Sequence, residues 1–388
     1  MRATALVVSL AVLTPLAACS NGSGGGDEGM VPPVVAACGQ AKLFERPVDP
    51  AAAGPWAVGV KTVQLPDILP DGALQTVEVW YPAKPGSDAG KPKVVYDLRE
   101  WLPPTEAAKI PDAENPPQPC DCVRDLPIDE KRGPYPVVIF VHGTAAFRTQ
   151  SLTQMVHWAK RGFVVLSADH PGIGLKDIIG NTFDFGNQTR NTNRLVAAIQ
   201  APSGPLAFLA GRIDTAHVGL SGHSAGGGAI AQVDDTAGVL VRMPLAAGGT
   251  TAGPSLVSTL VMGGKDDMVA TYDRVKQGYT NSPTKKRLVG IANAGHLAFS
   301  DLCYIGRDQG GILAIAKRNG VNVLDLVARL AQDGCMAGQL PAERGWVVVN
   351  HATTAVLEET LTCSTTATAQ AAATATLADV AEYAEALQ

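Results

Sequence analysis

Four short apolar runs constrain this chain more than any other feature: PVVIFV (136–141), FVVLSA (163–168), HVGLSG (217–222) and LVSTLVMGG (256–264). They are short, β-rich apolar runs, as expected of strands buried on both faces. Between them lie segments with helical spacing, TQSLTQMVHWAKRG (149–162), TRNTNRLVAAIQA (189–201) and AGGGAIAQVDD (225–235). Strand alternating with helix predicts an α/β fold whose mostly parallel sheet carries helices on both faces, with its active site at the carboxyl ends of the strands. Upstream, VGVKTVQL (58–65) and LQTVEVWY (74–81) alternate apolar and polar residues across the Asp71-Gly72 turn, which predicts an antiparallel pair at a sheet edge.

The first 18 residues hold one cation, Arg2, an apolar stretch and small residues ahead of Cys19, the plan of a secretory signal. LAAC (16–19) resembles the lipobox of bacterial lipoproteins, which implies lipidation of Cys19 and an exported protein held at an envelope membrane; a plain cleaved signal is the alternative. SNGSGGGDEG then reads as a flexible tether within an N-terminal segment spanning 19–55. No later segment reaches the roughly 18 apolar residues of a membrane span. Removing Arg2 with the signal takes the formal charge from -5 to -6. Such mild acidity, with Lys and Arg scattered, argues against a nucleic-acid partner.

Six cysteines follow Cys19: Cys38, Cys120, Cys122, Cys303, Cys335 and Cys363. An even number in an exported chain predicts a disulfide framework. Metal binding is the weaker reading, because Cys120 and Cys122 have no matching Cys/His pair at zinc spacing, and no metal is expected. A hydrophobic content of 46% suits one large domain, placed at 56–363. Within it, 82–136 is rich in Pro, Asp and Lys and reads as an irregular excursion. The Ala/Thr-biased tail, 364–388, reads as a weak helix or as disordered.

LSGHSAGGGA (220–229) places Ser224 directly after an apolar strand and directly before a helix start. A turn sharp enough to lift that serine above the sheet holds strained dihedrals, and side chains at Gly222 or Gly226 would collide with the neighbouring strand and helix. His223 completes this elbow, and the amide of Ala225 points where an oxyanion would form. Gly227 and Gly228 let the helix approach the sheet. A phosphate-binding loop is rejected, since GHSAGGG lacks the Lys-Ser/Thr ending.

A serine hydroxyl needs a base, and the base needs an orienting carboxylate. In this topology they follow the nucleophile as acid and then histidine. His296, in a loop after the run RLVGIA, is favoured over His351, which lies at the start of an apparent late packing helix. Asp267 is favoured over Asp266 in GGKDDMVA, because it precedes Met268-Val269-Ala270, read as the start of the next helix; helix capping is the bland alternative. The second oxyanion donor is expected after the strand ending in FVHG, where Gly143 admits the substrate and the amide of Thr144 donates, with Ala145 second. His142 is expected to orient that loop.

FVHGTAAFR (140–148), DHPGIGLKD (169–177), GHSAGGG (222–228), GGKDDMVA (263–270) and GHLAFSDL (295–302), in this order, resemble the α/β-hydrolase fold. VWYPA (79–83) and HLAFSD (296–301) point to its platelet-activating-factor acetylhydrolase and dienelactone-hydrolase-like branch, and GHSAGGG is also similar to bacterial cutinase-like polyester hydrolases. The resemblance covers residues 56–362 outside the excursion and implies hydrolysis of carboxylic or lipid esters through an acyl-serine, without cofactor. Two departures matter. Dienelactone hydrolases proper use a cysteine nucleophile, and PLAAGGTTAG (244–253) lacks the aromatic clamp of the polyester enzymes. The segment 303–335 exceeds a bare hydrolase core; stapled by Cys303 and Cys335, it would form a lid or wall near His296, or else an external packing element. An acyltransferase or peptidase on the same fold, and a non-catalytic surface-binding lipoprotein, are the rival functions.

Overall fold

The computed structural model describes residues 32–234, 238–253, 255–283 and 285–388. The signal segment 1–18, Cys19 and the glycine-rich tether lie outside the described residues.

The apolar runs become strands of one ten-stranded sheet. In chain order they are β1 (Ala57–Leu65), β2 (Gln75–Ala83), β3 (Val123–Arg124), β4 (Tyr135–Val141), β5 (Val164–Ala168), β6 (Ile213–His223), β7 (Val239–Leu245), β8 (Ser258–Gly264), β9 (Lys286–Ile291) and β10 (Val380–Ala386). Across the sheet the order is β10-β9-β8-β7-β6-β4-β5-β2-β1-β3. The centre, from β9 to β5, is parallel; β1, β2 and β5 pair antiparallel, as the alternation of the first two predicted, and β10 pairs antiparallel to β9. This is the α/β-hydrolase architecture.

Seven helices position the site: α1 (Leu152–Lys160), α2 (Leu175–Ile179), α3 (Gln188–Gln200), α4 (Ala225–Ala231), α5 (Tyr272–Asn281), α6 (Ile312–Arg318) and α7 (Asp325–Leu330). Two more follow, α8 (Ala342–Leu361) and α9 (Thr365–Ala373). Because side chains alternate across a strand, β4 sends Val138 and Phe140 to a core shared with α1 and α8, and Val137, Ile139 and Val141 to one shared with α3 and α4. Both faces are therefore apolar, which explains why the run shows no polar alternation.

Three elements differ from the sequence reading. Strand β7 goes unannounced because Arg242 and Pro244 interrupt its apolar run; the guanidinium is nonetheless buried and donates to the carbonyls of Ala231 and Val233 at the end of α4. The Ala/Thr-rich tail is neither a lone weak helix nor disordered. It forms α9 and then β10, whose residues pair with β9 from Lys286 to Ile291 and so close that edge. His351 lies in the middle of α8, which begins nine residues earlier at Ala342, just after Pro341.

Disulfides join Cys38 to Cys363, Cys120 to Cys122 and Cys303 to Cys335. The excursion between β2 and β4, read as irregular, holds the short edge strand β3, a small antiparallel pair, Val95–Asp97 with Pro117–Pro119, and single helical turns at Leu98–Trp101 and Pro104–Ala107. Among the described residues no helix is long and apolar enough to cross a membrane, and no group of three His, Cys, Asp or Glu is placed to hold a metal ion.

Candidate active site

The carboxyl ends of β4, β6, β8 and β9 bring together the residues singled out in the sequence. Ser224 sits between β6 and α4 with φ 54° and ψ -119°, a backbone conformation that L-residues adopt at a cost and that a nucleophile elbow requires. The turn is possible because its flanks are glycine. A Cβ on Gly222 would lie 2.4 Å from the carbonyl oxygen of Gly226, and one on Gly226 would lie 2.0 Å from that of Val141. Gly227 likewise faces Ala247 and the carbonyl of Gly222, whereas a Cβ on Gly228 would meet nothing within 4 Å, so close packing explains the first and not the second.

Ser224 Oγ lies 2.9 Å from His296 Nε2, and His296 Nδ1 lies 2.9 Å from Asp267 Oδ2. An ionised carboxylate only accepts, so the imidazole carries its proton on Nδ1 and turns the Nε2 lone pair toward the serine hydroxyl. His296 and Asp267 are buried while Ser224 is partly exposed, so the line runs from the interior out to where a substrate can reach it. The other oxygen of Asp267 accepts the amides of Val269 and Ala270 at 2.8 and 2.7 Å, which fixes the carboxylate. These amides belong to a turn. The next helix starts only at Tyr272, not at Met268 as the sequence suggested. Asp266 is exposed, and His351 bonds Thr374 Oγ1 at 3.1 Å, away from the line.

The loop after β4 lies against the elbow, with a Cβ on Gly143 falling 3.2 Å from both His223 Nδ1 and Ser224 Cβ. The amide of Gly143 donates to Gln150 Oε1, and that of Ala145 to the carbonyl of Ile173. These bonds leave the amide of Thr144 as this loop's candidate donor, beside that of Ala225 in the first turn of α4. His142 donates from Nδ1 to the carbonyl of Gly143 and accepts the amide of His170 on Nε2, at 2.8 and 3.0 Å; burial holds its pKa below the usual histidine range. It orients the loop and has no free nitrogen for proton transfer.

Three residues carry weight here that the sequence did not single out, Gln150, Arg148 and Asp301, and His223, read there only as part of the elbow, gains a partner. Gln150 and His223 bond each other behind the triad, and burial together with the nearby His296 pushes His223 down to about 3, so it stays neutral. Arg148 pairs with Glu78 of β2, Glu100 of the excursion and Asp169 after β5, and lies over the Trp101 ring, which stacks on Phe147 at 4.4 Å. The excursion is thereby fastened to the loop after β4. Asp301 accepts the amide of Thr153 at the start of α1. Apart from the Gly143 amide that Gln150 accepts, the side-chain partners of these residues lie tens to hundreds of positions away, so no local pattern marks them.

The family model described as platelet-activating factor acetylhydrolase, isoform II, matches residues 115–173. That stretch runs from the end of the excursion through β4, its loop and α1 to the segment after β5, and stops short of Ser224, Asp267 and His296. The similarity points to an ester-hydrolysing enzyme of the α/β-hydrolase type. A comparison with curated proteins gives no match.

Proposed function

We propose that this protein hydrolyses carboxylic esters through an acyl-enzyme on Ser224. The observation that carries the reading is the unbroken hydrogen-bonded line from Ser224 through His296 to Asp267, with the serine held on a strained strand-to-helix turn. His296 Nε2 takes the hydroxyl proton as Ser224 Oγ bonds to the ester carbonyl carbon. The carbonyl π electrons move onto oxygen, which the amides of Ala225 and Thr144 receive. Collapse breaks the bond to the leaving alkoxide, which takes the proton from the imidazolium. A water then gives its proton to His296 and attacks the acyl carbon; the second collapse frees the acid and returns the proton to Ser224.

We assign an aliphatic acyl group to an apolar cavity of about 100 Å³, lined by residues of the loops next to the triad but not by Ser224, Asp267 or His296 themselves. Its walls include Leu102 and Ile110 of the excursion, Ile315 and Val327 of the 303–335 segment, and Phe147 and Leu302 from the loops that carry Thr144 and His296. A cavity of roughly 150 Å³ holds a benzene molecule, so this smaller one suits a short aliphatic chain. On this reading the 303–335 segment is a wall of the acyl site. Export and anchoring to a membrane through lipidated Cys19 are proposed from the sequence alone.

The test is release of p-nitrophenol from acetate to palmitate esters by protein lacking residues 1–31, beside Ser224→Ala. Turnover with an optimum near butyrate or hexanoate, reduced by about 10⁴-fold or more in the variant, is expected. A folded protein inert on every ester, or a variant as active as the parent, would overturn the reading.

A further inference from the structure

Behind the triad, three hydrogen bonds run in one direction through fully enclosed groups. The carbonyl oxygen of His296 only accepts, so His223 Nε2, 2.9 Å away, carries the proton and donates. His223 Nδ1 is then an acceptor, and it receives Gln150 Nε2 at 2.8 Å. The remaining end of that carboxamide, Oε1, accepts the amide of Gly143 at 2.9 Å. Gln150 has no exposed surface and His223 is 2% exposed, so water does not compete for these groups. Among side chains of this length, glutamine offers a donor on one arm and an acceptor on the other without taking up a proton.

The backbone around residue 150 repeats the connection. The carbonyl of Gln150 accepts the amide of Asp301, Ser151 Oγ donates to the carbonyl of Phe299, and Thr153 donates its amide to Asp301 Oδ2. The segment 150–153 is thus joined to the turn that holds His296, while the Gln150 side chain reaches the opposite loop at Gly143.

We infer that Gln150 is a positioning residue that, through His223, holds the oxyanion loop and the His296 turn in one register. The inference rests on the ester-hydrolase reading for its kinetic consequence, though not for its structural one. Bonds of 2.8 to 2.9 Å in series leave little slack, so a shift of Gly143 is felt at the carbonyl of His296. The nucleophile lies between the two, since Gly143 abuts Ser224 on one side and His296 bonds it on the other. The titratable groups around the relay are His296, whose ring centroid is 4.8 Å from that of His223, Asp267 beyond it, Asp301 at the Gln150 carbonyl, and His142 beside Gly143.

Two variants separate positioning from packing. Gln150→Leu removes both arms, and kcat on p-nitrophenyl butyrate is expected to fall 10- to 100-fold with KM changed less than about 3-fold. Gln150→Glu keeps the shape but sets a carboxylate oxygen against the lone pair of His223 Nδ1. To restore the bridge, the variant must take up one proton that its ionised carboxylate lacks. The competent form of the variant therefore dominates at low pH and is lost as pH rises, adding an alkaline fall that the parent lacks. A variant that merely fills the space would keep the parent profile. Amide NMR supplies a readout free of catalysis: in Gln150→Leu, or in Gln150→Glu at high pH should the leucine variant not fold, Gly143 and residues 297–299 should shift together. A parent-like pH profile for Gln150→Glu, or amide shifts confined to residues 149–152, would overturn the inference. A parent protein inert on all esters would overturn the function reading, and the amide shifts would still decide the relay.

Discussion

Thr153 donates its backbone amide to the Asp301 carboxylate at 2.9 Å across 148 positions of chain, and this bond joins the first turn of α1 to the loop that follows His296. Burial pushes the Asp301 pKa up to about 7, against the hydrogen bonds from Thr153 and Leu152, which lower it. The folded value stands above the unfolded one. Between about pH 4 and pH 7 the folded chain therefore holds a proton that the unfolded chain has shed, and stability from this group falls as pH rises through that window. The full cost above it is on the order of 4 kcal/mol. Asp301→Asn keeps an acceptor for Thr153 and removes the titration. Thermal melts from pH 4 to 8 should show the variant gaining on the parent up to about pH 7 and no further. A constant difference in Tm would contradict this account.

Asp267 and Asp266 are neighbours with opposite environments, one buried against His296 and one facing solvent. Asp267→Asn permits the wrong imidazole tautomer, so kcat on a p-nitrophenyl ester should drop by about 10⁴-fold, whereas Asp266→Asn should stay within about threefold. Equal losses would assign the orienting role to neither residue alone.

The central strands and the elbow were legible because their signals are local: a short β-rich run, a glycine on each side of a serine, a helix start behind it. Asp267 and His296 were legible through chain order and their positions after strands. Strand β7 was not, since Arg242 and Pro244 look unlike a buried strand until the carbonyls that receive the guanidinium are placed beside it. The strand at the C terminus was hidden for a related reason. VAEYAEA has weak intrinsic preference, and its pairing with β9 comes from tertiary context. Gln150 was not legible because, although one arm meets Gly143 seven positions away, the other meets His223 73 positions away, and only the two together make the relay.

That C-terminal strand should matter for stability. β10 covers β9, the carbonyl of Asp379 accepts the amide of Ala292, and Glu385 joins Glu359 around the buried guanidinium of Arg287. Deleting residues 379–388 would bare the edge of β9 and disturb the strand that leads to His296. Tm should fall by about 10 °C or more, with concentration-dependent aggregation detectable by light scattering. An unchanged, monomeric protein would show that the strand is dispensable.

The cavity proposed to take the acyl group predicts a change in selectivity. Val327 is buried against it from α7, a helix that Cys303–Cys335 holds in place. Val327→Phe should lower the ratio of kcat/KM for hexanoate over acetate by about tenfold, with a stability cost of about 1–3 kcal/mol from overpacking. Equal loss on both esters would place the acyl chain elsewhere.

Cys38 and Cys363 are bonded across 325 positions, with the cysteine of the N-terminal segment meeting the turn just beyond α8. Between them lie nine of the ten strands of the main sheet, all but β10. Covalently, then, residues 38–363 form a ring. A load passed from one end of the chain to the other crosses through sulfur to the end of α8 without running along the nine strands inside the ring, so those strands are shielded from being peeled in sequence, while β10 is not. A single protease cut anywhere in the ring leaves one connected molecule. For a catalytic domain proposed to hang from a membrane by its N-terminal end, the mechanical path and the catalytic framework are separate parts of the same chain.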